Sequence, residues 1–227
     1  QIVEAVSATR TLLLVNFRPE YEADWTRKSW VLQLPMAPLG AQALAELVRD
    51  WVGSRASVAA LPALIGARSG GNPFFAEEIV LSLLDTGKLE GTRGAYELTT
   101  PLDSVEVPAT VQALLAARID RLGEREKQVL YTAAVIGKEF ARPLLEAVLE
   151  MKAEDLDAAL SALLAAELIN ERSIYPVAEY SFKHPLTHEV ALHAQLGSAR
   201  RARHAAVAGA IEAASHDQLD ERAGLLA

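Results

Sequence analysis

The sequence contains no cysteine, so disulfide bonds and thiolate metal ligands are excluded. Aromatic residues make up only 6% of the 227 residues. The sequence also has no run of about 18 uncharged apolar residues, the length that a membrane-spanning helix needs. The phosphate-binding pattern G-x-x-x-x-G-K-[ST] is also missing, because Gly87-Lys88 and Gly137-Lys138 lack the earlier glycine and the following hydroxyl. These absences predict a cytoplasmic chain that by itself catalyses no phosphoryl transfer.

Acidic side chains outnumber basic ones along the chain, whose formal net charge is −8. Residues 1–104 carry 9 basic and 12 acidic side chains, and the remainder carries 13 and 18. Neither part offers the basic surface that binding to a phosphate backbone requires. Nucleic acid is therefore disfavoured as a partner.

The composition favours helices, since alanine and leucine dominate and the chain is 51% hydrophobic and 23% charged. The fold class predicted is mainly α with small β elements. A hairpin is predicted over 89–98, with glycine at its turn. A second hairpin is predicted from Leu168–Arg172 and Glu179–Lys183, around Tyr175-Pro176-Val177. Apolar residues at helical spacing predict helices over residues 41–52, 58–67, 73–84, 109–122, 124–135, 143–149, 154–166 and 198–227.

Two short apolar runs near the start have the composition of buried strands, Thr11–Phe17 and Trp30–Leu34. Two isolated strands do not make a stable sheet. We therefore expect them to be the last strands of a parallel sheet whose other strands lie elsewhere. Because the chain begins with Gln1 rather than methionine, we expect it to be a piece of a longer protein.

The segment Arg68–Glu78, R-S-G-G-N-P-F-F-A-E-E, interrupts two helical stretches. Gly70 and Gly71 allow backbone angles that other residues avoid. Asn72 is suited to cap a helix, and Pro73 has the fixed φ of a first helical position. By turn chemistry alone this is a corner between two helices.

The pattern G-G-N-P-F-F-x-E-E resembles the lid motif of signal-transduction ATPases with numerous domains, a branch of the AAA+-like NTPases. It is especially similar to the ATPase module behind bacterial class III adenylate/guanylate cyclase domains, as are Leu13–Tyr21, Val107–Gln112 and Tyr175–His184. The resemblance implies that Pro73 packs near the adenine of a bound nucleotide. It also implies ATP or ADP with magnesium as cofactors of the whole protein.

His184 stands in the run Phe-Lys-His-Pro-Leu that follows a predicted wing strand. A lone histidine at a strand end is usually structural. In the family it resembles, the histidine of this motif reaches the β-phosphate of ADP and holds a closed, inactive state. His188 and His193 do not complete a zinc site with it, because Pro185 intervenes and neither cysteine nor a clear carboxylate partner is present.

Arg18 follows the first apolar run directly. An arginine at the end of a strand is commonly a solvated cap. Its position also resembles sensor 1 of these ATPases, where a polar residue senses the γ-phosphate, and an arginine fork binds phosphate oxygens well. Both interpretations remain open.

The layout predicted from these features has four parts. Residues 1–35 are the remnant of a nucleotide-binding core, 36–104 a helical lid with a hairpin, 105–197 a domain like a winged helix, and 198–227 the start of a helical, repeat-like arm. The boundary between the second and third parts lies in the polar, proline-flanked connector Thr99–Pro108.

The function that the resemblance implies is the lid and winged-helix part of a nucleotide-dependent signalling switch. Its partners would be the upstream core and a cyclase domain of the same chain, with a protein partner on the C-terminal helices. The alternatives are a DNA-binding transcriptional regulator and a protein-binding scaffold. The helix at 154–166 carries Glu154, Asp155 and Asp157 and no basic residue, which argues against reading DNA.

Overall fold

A computed structural model describes residues 2–6, 9–18, 20–173 and 177–214. The chain divides into two compact units, Gln1–Leu39 and Gly40–Ala227. The larger unit is mainly helical and contains small antiparallel sheets. Among the described residues the α-helices are α1 (Ile2–Val6), α2 (Ala41–Val52), α3 (Leu61–Ser69), α4 (Pro73–Asp85), α5 (Val111–Asp120), α6 (Glu124–Ile136), α7 (Arg142–Leu149), α8 (Ala153–Ala165), α9 (Pro185–His193) and α10 (Gly197–Ala214).

The first unit lacks the strands predicted for it. Residues 11–18 and 31–40 form neither helix nor strand, so the prediction of strands at Thr11–Phe17 and Trp30–Leu34 is wrong for this chain. A strand is held by hydrogen bonds to its neighbours, and two short apolar runs cannot supply a full set for each other. Their side chains stay exposed, Leu12 at 92% and Leu14 at 86%.

Helices α2 to α4 and a two-stranded hairpin make the first half of the second unit. The strands β1 (Leu89–Glu90) and β2 (Glu97–Leu98) pair antiparallel, which confirms the predicted hairpin. A buried core, the lid core, joins the inner faces of these elements and includes Leu44, Val48, Ile65, Ile79 and Leu89. The amphipathic spacing of α2 therefore points its apolar stripe inward, as the sequence predicts.

The second half contains helices α6 to α8 and a three-stranded sheet, followed by α9 and α10. Strands β3 (Glu139–Ala141), β4 (Ile169–Ser173) and β5 (Glu179–Phe182) lie in the order β3-β5-β4, all antiparallel. The β4–β5 hairpin is the one predicted, and the part of its turn at 174–176 lies outside the described residues. β3 was not predicted from the sequence.

Helix α5 links the two cores. Leu114 belongs to the lid core, whereas Ile119 belongs to the core formed by α6, α7, α8 and the sheet. Thr110 caps this helix by accepting the N–H of Ala113 at 3.2 Å. One helix thus presents successive turns to two separate apolar clusters. The arm expected over 198–227 is helical as far as Ala214, and 215–227 lie outside the described residues.

Candidate functional site

The turn that opens the motif is built by backbone geometry. Gly70 ends α3 with φ +58°, and Gly71 follows with φ +85°, a left-handed region that favours glycine. Asn72 then caps α4, its Oδ1 accepting the N–H of Phe75 at 3.2 Å, and Pro73 takes the first helical position. These observations confirm the local structure predicted for the segment. They place Pro73, exposed, at the start of α4.

His184 starts α9 in the same way that Asn72 starts α4. Its Nδ1 accepts the backbone N–H of Leu186 at 3.1 Å, and Pro185 occupies the first helical position. Because Nδ1 accepts, the neutral ring carries its proton on Nε2. Burial lowers the pKa of His184 below its ordinary value, against the opposing effect of Glu189 and Glu77. The ring is therefore neutral, with Nε2–H as a donor.

The starts of α4 and α9 meet through an aromatic pair. The ring of Phe74 stacks on the ring of His184 with centroids 3.8 Å apart and planes 13° apart. Phe74 is the immediate neighbour of Pro73, so the structure brings the two residues predicted to contact one nucleotide to the same junction. That junction lies within the unit Gly40–Ala227.

Lys183 adds a charged contact beside the rings. Its Nζ lies 3.0 Å from Oε1 of Glu77 on α4, and it also forms an ion pair with Glu167. Glu167 follows α8 with φ +54°, a left-handed conformation that is uncommon outside glycine. Lys183 thus joins α4, the corner after α8 and the end of the wing strand β5.

A second ionic group lies deeper in the same junction. Nη1 of Arg118 lies 2.5 Å from Oε2 of Glu78, and its Nε lies 2.8 Å from Oδ2 of Asp85. Its Nη2 donates to the carbonyl of Ala166 at 2.6 Å. Burial alone would lower the pKa of Arg118, but the two carboxylates outweigh it and raise the pKa above its ordinary value. The guanidinium is charged, and each of its three nitrogen atoms donates to a partner on α4 or at the end of α8.

The two adjacent glutamates of the motif therefore have separate partners, Glu77 with Lys183 and Glu78 with Arg118. The sequence did not identify Arg118, Lys183 or either glutamate as functional. A signal was present, because Arg118 lies on the apolar stripe of α5 between Leu115 and Ile119, both fully buried. A charge at such a position needs a buried partner.

Arg18 lies in the other unit, Gln1–Leu39. Its side chain is exposed, and its carbonyl accepts the N–H of Tyr21 at 2.9 Å. The prediction that it contacts a phosphate remains a prediction.

The ring of His188 contacts the backbone of α6. Its Nε2 lies 2.9 Å from the carbonyl of Ala134, and a carbonyl requires Nε2 to be the donor. Within the residues that the structure describes, no group of three or more His, Cys, Asp or Glu side chains is arranged to hold a metal.

Two surface clefts lie near the junction. One, of about 470 Å³, lies between α5 and α9 and is lined by residues of both helices, apolar ones such as Ala113 and Leu186 and polar ones such as Glu189. The other, of about 660 Å³, is lined by charges of both signs, among them Arg68, Arg121 and Glu106. Neither lining includes Pro73 or His184, although Leu186 is the residue whose N–H His184 caps.

No helix in the described part of the chain has the length and apolar character that a bilayer crossing needs. Comparisons with protein families, with characterised proteins and with solved structures find no match for this chain.

Proposed function

We propose that the chain is the lid and winged-helix part of a nucleotide-dependent signalling switch ATPase, of the kind linked to adenylate/guanylate cyclases. The observation that carries the proposal is the stacked pair Phe74–His184. It joins the start of the lid helix α4 to the start of α9, where the resemblance expects Pro73 at the adenine and His184 at the β-phosphate.

The chemistry of His184 supports a phosphate ligand. Nδ1 is occupied by the cap to Leu186, so the remaining polar atom is a donor, as an anionic oxygen requires. The positive end of the helix dipole of α9 also lies at this residue and favours negative charge. A neutral imidazole can therefore hold a phosphate oxygen without first gaining a proton.

The element order supports the winged-helix part of the proposal. Helices α6, α7 and α8 precede the β4–β5 hairpin, and β3 completes a three-stranded sheet with it. Such a module binds DNA in many proteins, but fold alone does not decide function. In this chain Asp155 of α8 lies 3.2 Å from Arg125, and Asp157 forms an ion pair with Arg142. These two carboxylates of α8 thus form ion pairs within the winged-helix region, which favours a packing role for the helix.

The exposed apolar surface of the first unit supports the proposal of a nucleotide-binding core that packs against it. Apolar side chains such as Leu12, Leu14, Leu32 and Leu34 are 71–92% exposed, which is a large unfavourable surface in water. A nucleotide-binding core in a longer protein, which this proposal requires, would cover these runs. The ATP, ADP and magnesium of the proposal belong to that core.

The test is ADP binding by the full-length protein. The variant His184→Asn keeps an N-cap side chain but removes the imidazole, and the control His193→Asn changes an exposed histidine on the same helix. Losing a hydrogen bond to a charged group is expected to weaken ADP binding by about ten- to a hundredfold in the first variant only. We also expect higher basal signalling output, because the closed state is lost.

The proposal is wrong if the full-length protein binds neither ADP nor ATP. It is also wrong in its assignment of His184 if both variants bind ADP as the wild type does and unfold at the same temperature. In that case His184 is only the N-cap of α9.

A further inference from the structure

Leu196 is the most exposed large apolar side chain among the described residues of the larger unit. It lies in the turn between α9 and α10 and is 78% exposed, whereas the next such side chain in that unit, Val177, is 39% exposed. A leucine side chain gains free energy when it leaves water. A single exposed leucine is nevertheless common on protein surfaces, so its surroundings decide whether it marks a contact.

The turn that carries Leu196 is fixed by side-chain hydrogen bonds. Gln195 is buried, and its Nε2 donates to the carbonyl oxygens of Tyr131 and Ala191 at 3.1 and 3.2 Å. Its Oε1 accepts a hydrogen bond from Nη1 of Arg203 at 3.1 Å. Leu196 therefore projects into solvent from an ordered backbone, and a contact made through it would lose little conformational entropy.

An apolar cleft lies beside this turn. The cleft between α5 and α9, of about 470 Å³, is called the α5–α9 cleft below. Its apolar lining consists of Ala113 and Ala116 on α5 and of Leu186, Val190 and Ala194 on α9. The small alanine side chains leave room between the two helices for a side chain from outside. Because Ala194 is two residues before Leu196, the protruding leucine and the cleft are neighbours on one surface.

Charges of opposite sign lie beside the cleft and the leucine. Glu189 lines the cleft and is exposed. Arg200 begins the hydrogen-bonding of α10, since its N–H donates to the carbonyl of Leu196 at 2.9 Å, and Arg201 beside it is exposed. In the part of the chain that the structure describes, none of these three charged side chains forms an ion pair.

The start of α10 also departs from the charge of the rest of the chain. With a net charge of −8, two copies of the chain repel each other over most of their surface. Residues 197–203 contain three arginines and no carboxylate. A contact between two copies is therefore favoured where this basic segment meets an unpaired acidic side chain.

We propose that the turn at Leu196, the α5–α9 cleft and the charges beside them form the interface of a symmetric dimer with a second copy of the same chain. In a twofold arrangement both copies use the same patch, so a protruding side chain next to a cleft is complementary to its own copy. Leu196 of each chain enters the cleft of the other, and Arg200 faces Glu189 of the partner subunit. One turn and one cleft per chain make a small interface, so we expect a dissociation constant in the micromolar range or weaker. Dimer formation requires no nucleotide and is independent of the proposed function.

Sedimentation velocity of the 227-residue chain, from low micromolar to millimolar concentration, measures the association. Leu196→Ser should weaken dimerisation by about a hundredfold, because a symmetric dimer loses two apolar contacts and each contributes about tenfold. The control Leu32→Ser changes a leucine of the first unit that is 82% exposed and should leave the dissociation constant unchanged. A chain that stays monomeric overturns the proposal and leaves the cleft to a different partner. Equal dimerisation of the wild type and Leu196→Ser, or equal weakening by both substitutions, also overturns it.

A charge exchange tests the twofold pairing. Arg200→Glu and Glu189→Arg should each weaken dimerisation by about tenfold, because like charges then face each other. The double variant exchanges the two charges and should restore the dissociation constant of the wild type. Unfolding temperatures of the three variants check that each is folded. A double variant as weak as the single variants would show that Arg200 and Glu189 do not meet across the interface, and would overturn this arrangement of the dimer.

Discussion

Nη1 of Arg118 lies 2.5 Å from Oε2 of Glu78, and both side chains are 2% exposed. The two residues belong to helices α5 and α4, which carry different parts of the lid core. The same guanidinium reaches the carbonyl of Ala166 at the end of α8. A single charge therefore ties three helices together, and its removal leaves a carboxylate and a carbonyl without a partner in the interior.

We predict that Arg118→Met lowers the free energy of unfolding by about 3–5 kcal/mol, because it leaves Glu78 buried and unpaired. Replacing Glu78 by methionine as well should restore much of the loss, since the uncompensated charge is gone. Urea denaturation of the wild type, both single variants and the double variant measures this. The matched variant Arg142→Met removes ion pairs that are partly exposed and should lose less than about 1 kcal/mol. Equal losses for the two arginine variants would contradict the prediction.

We predict that Asn72→Ala lowers the free energy of unfolding by about 1 kcal/mol, because the N–H of Phe75 loses the acceptor that caps α4. Asn72→Ser keeps a capping oxygen and should lower the free energy of unfolding by only about a few tenths of a kcal/mol. Thermal unfolding of the three proteins under one buffer provides the comparison. If the serine variant is as unstable as the alanine variant, the cap does not explain the role of this residue.

Stability should fall as the solution becomes acidic from pH 7. Burial lowers the pKa of His184 and of His188 below the ordinary value of 6.5. The unfolded chain therefore binds protons more tightly than the folded one, and stability rises with pH. The contribution of these rings is complete above pH 6.5 and is lost as pH falls through the lowered pKa of the folded state.

Urea midpoints measured between pH 5 and pH 8 test this pH dependence. His184→Asn should flatten the profile, because one of the two rings is removed while the cap of α9 is kept. His193→Asn serves as the control for a histidine-to-asparagine change on the same helix. A slope identical in the wild type and His184→Asn would show that His184 does not titrate on unfolding.

We predict that the 227-residue chain alone has neither ATPase nor nucleotide cyclase activity. It has no P-loop and no segment like the acidic strand end that holds magnesium, which phosphoryl transfer requires. Phosphate release and cyclic nucleotide formation are measured with magnesium present. Activity that copurifies with the chain and is abolished by a substitution within it would overturn this prediction.

DNA binding should be weak and without sequence preference. The region 105–227 carries a net negative charge, and α8 presents carboxylates where a DNA-reading helix presents basic or amide side chains. A gel shift with random and selected duplexes at physiological salt is the measurement. Sub-micromolar binding with sequence preference would instead favour the transcriptional alternative.

The sequence by itself determined the local structure around the candidate site. The glycines at 70 and 71, the cap at Asn72 and the proline at 73 act on their own backbone, so their outcome does not depend on distant residues. The spacing of apolar residues likewise gave the inward face of α2 and most helix positions, because a helix repeats every 3.6 residues. The β4–β5 hairpin followed from its composition for the same local reason.

Only the tertiary structure decided which of these elements meet. The partners of Glu77 and Glu78 are Lys183 and Arg118, and no local rule connects residues so far apart in the chain. Their contribution to stability depends on burial, since the same charges on the surface would change the free energy of unfolding very little. The runs at 11–17 and 30–34 have the composition of strands but do not form them, because a strand requires neighbouring strands that local composition cannot provide.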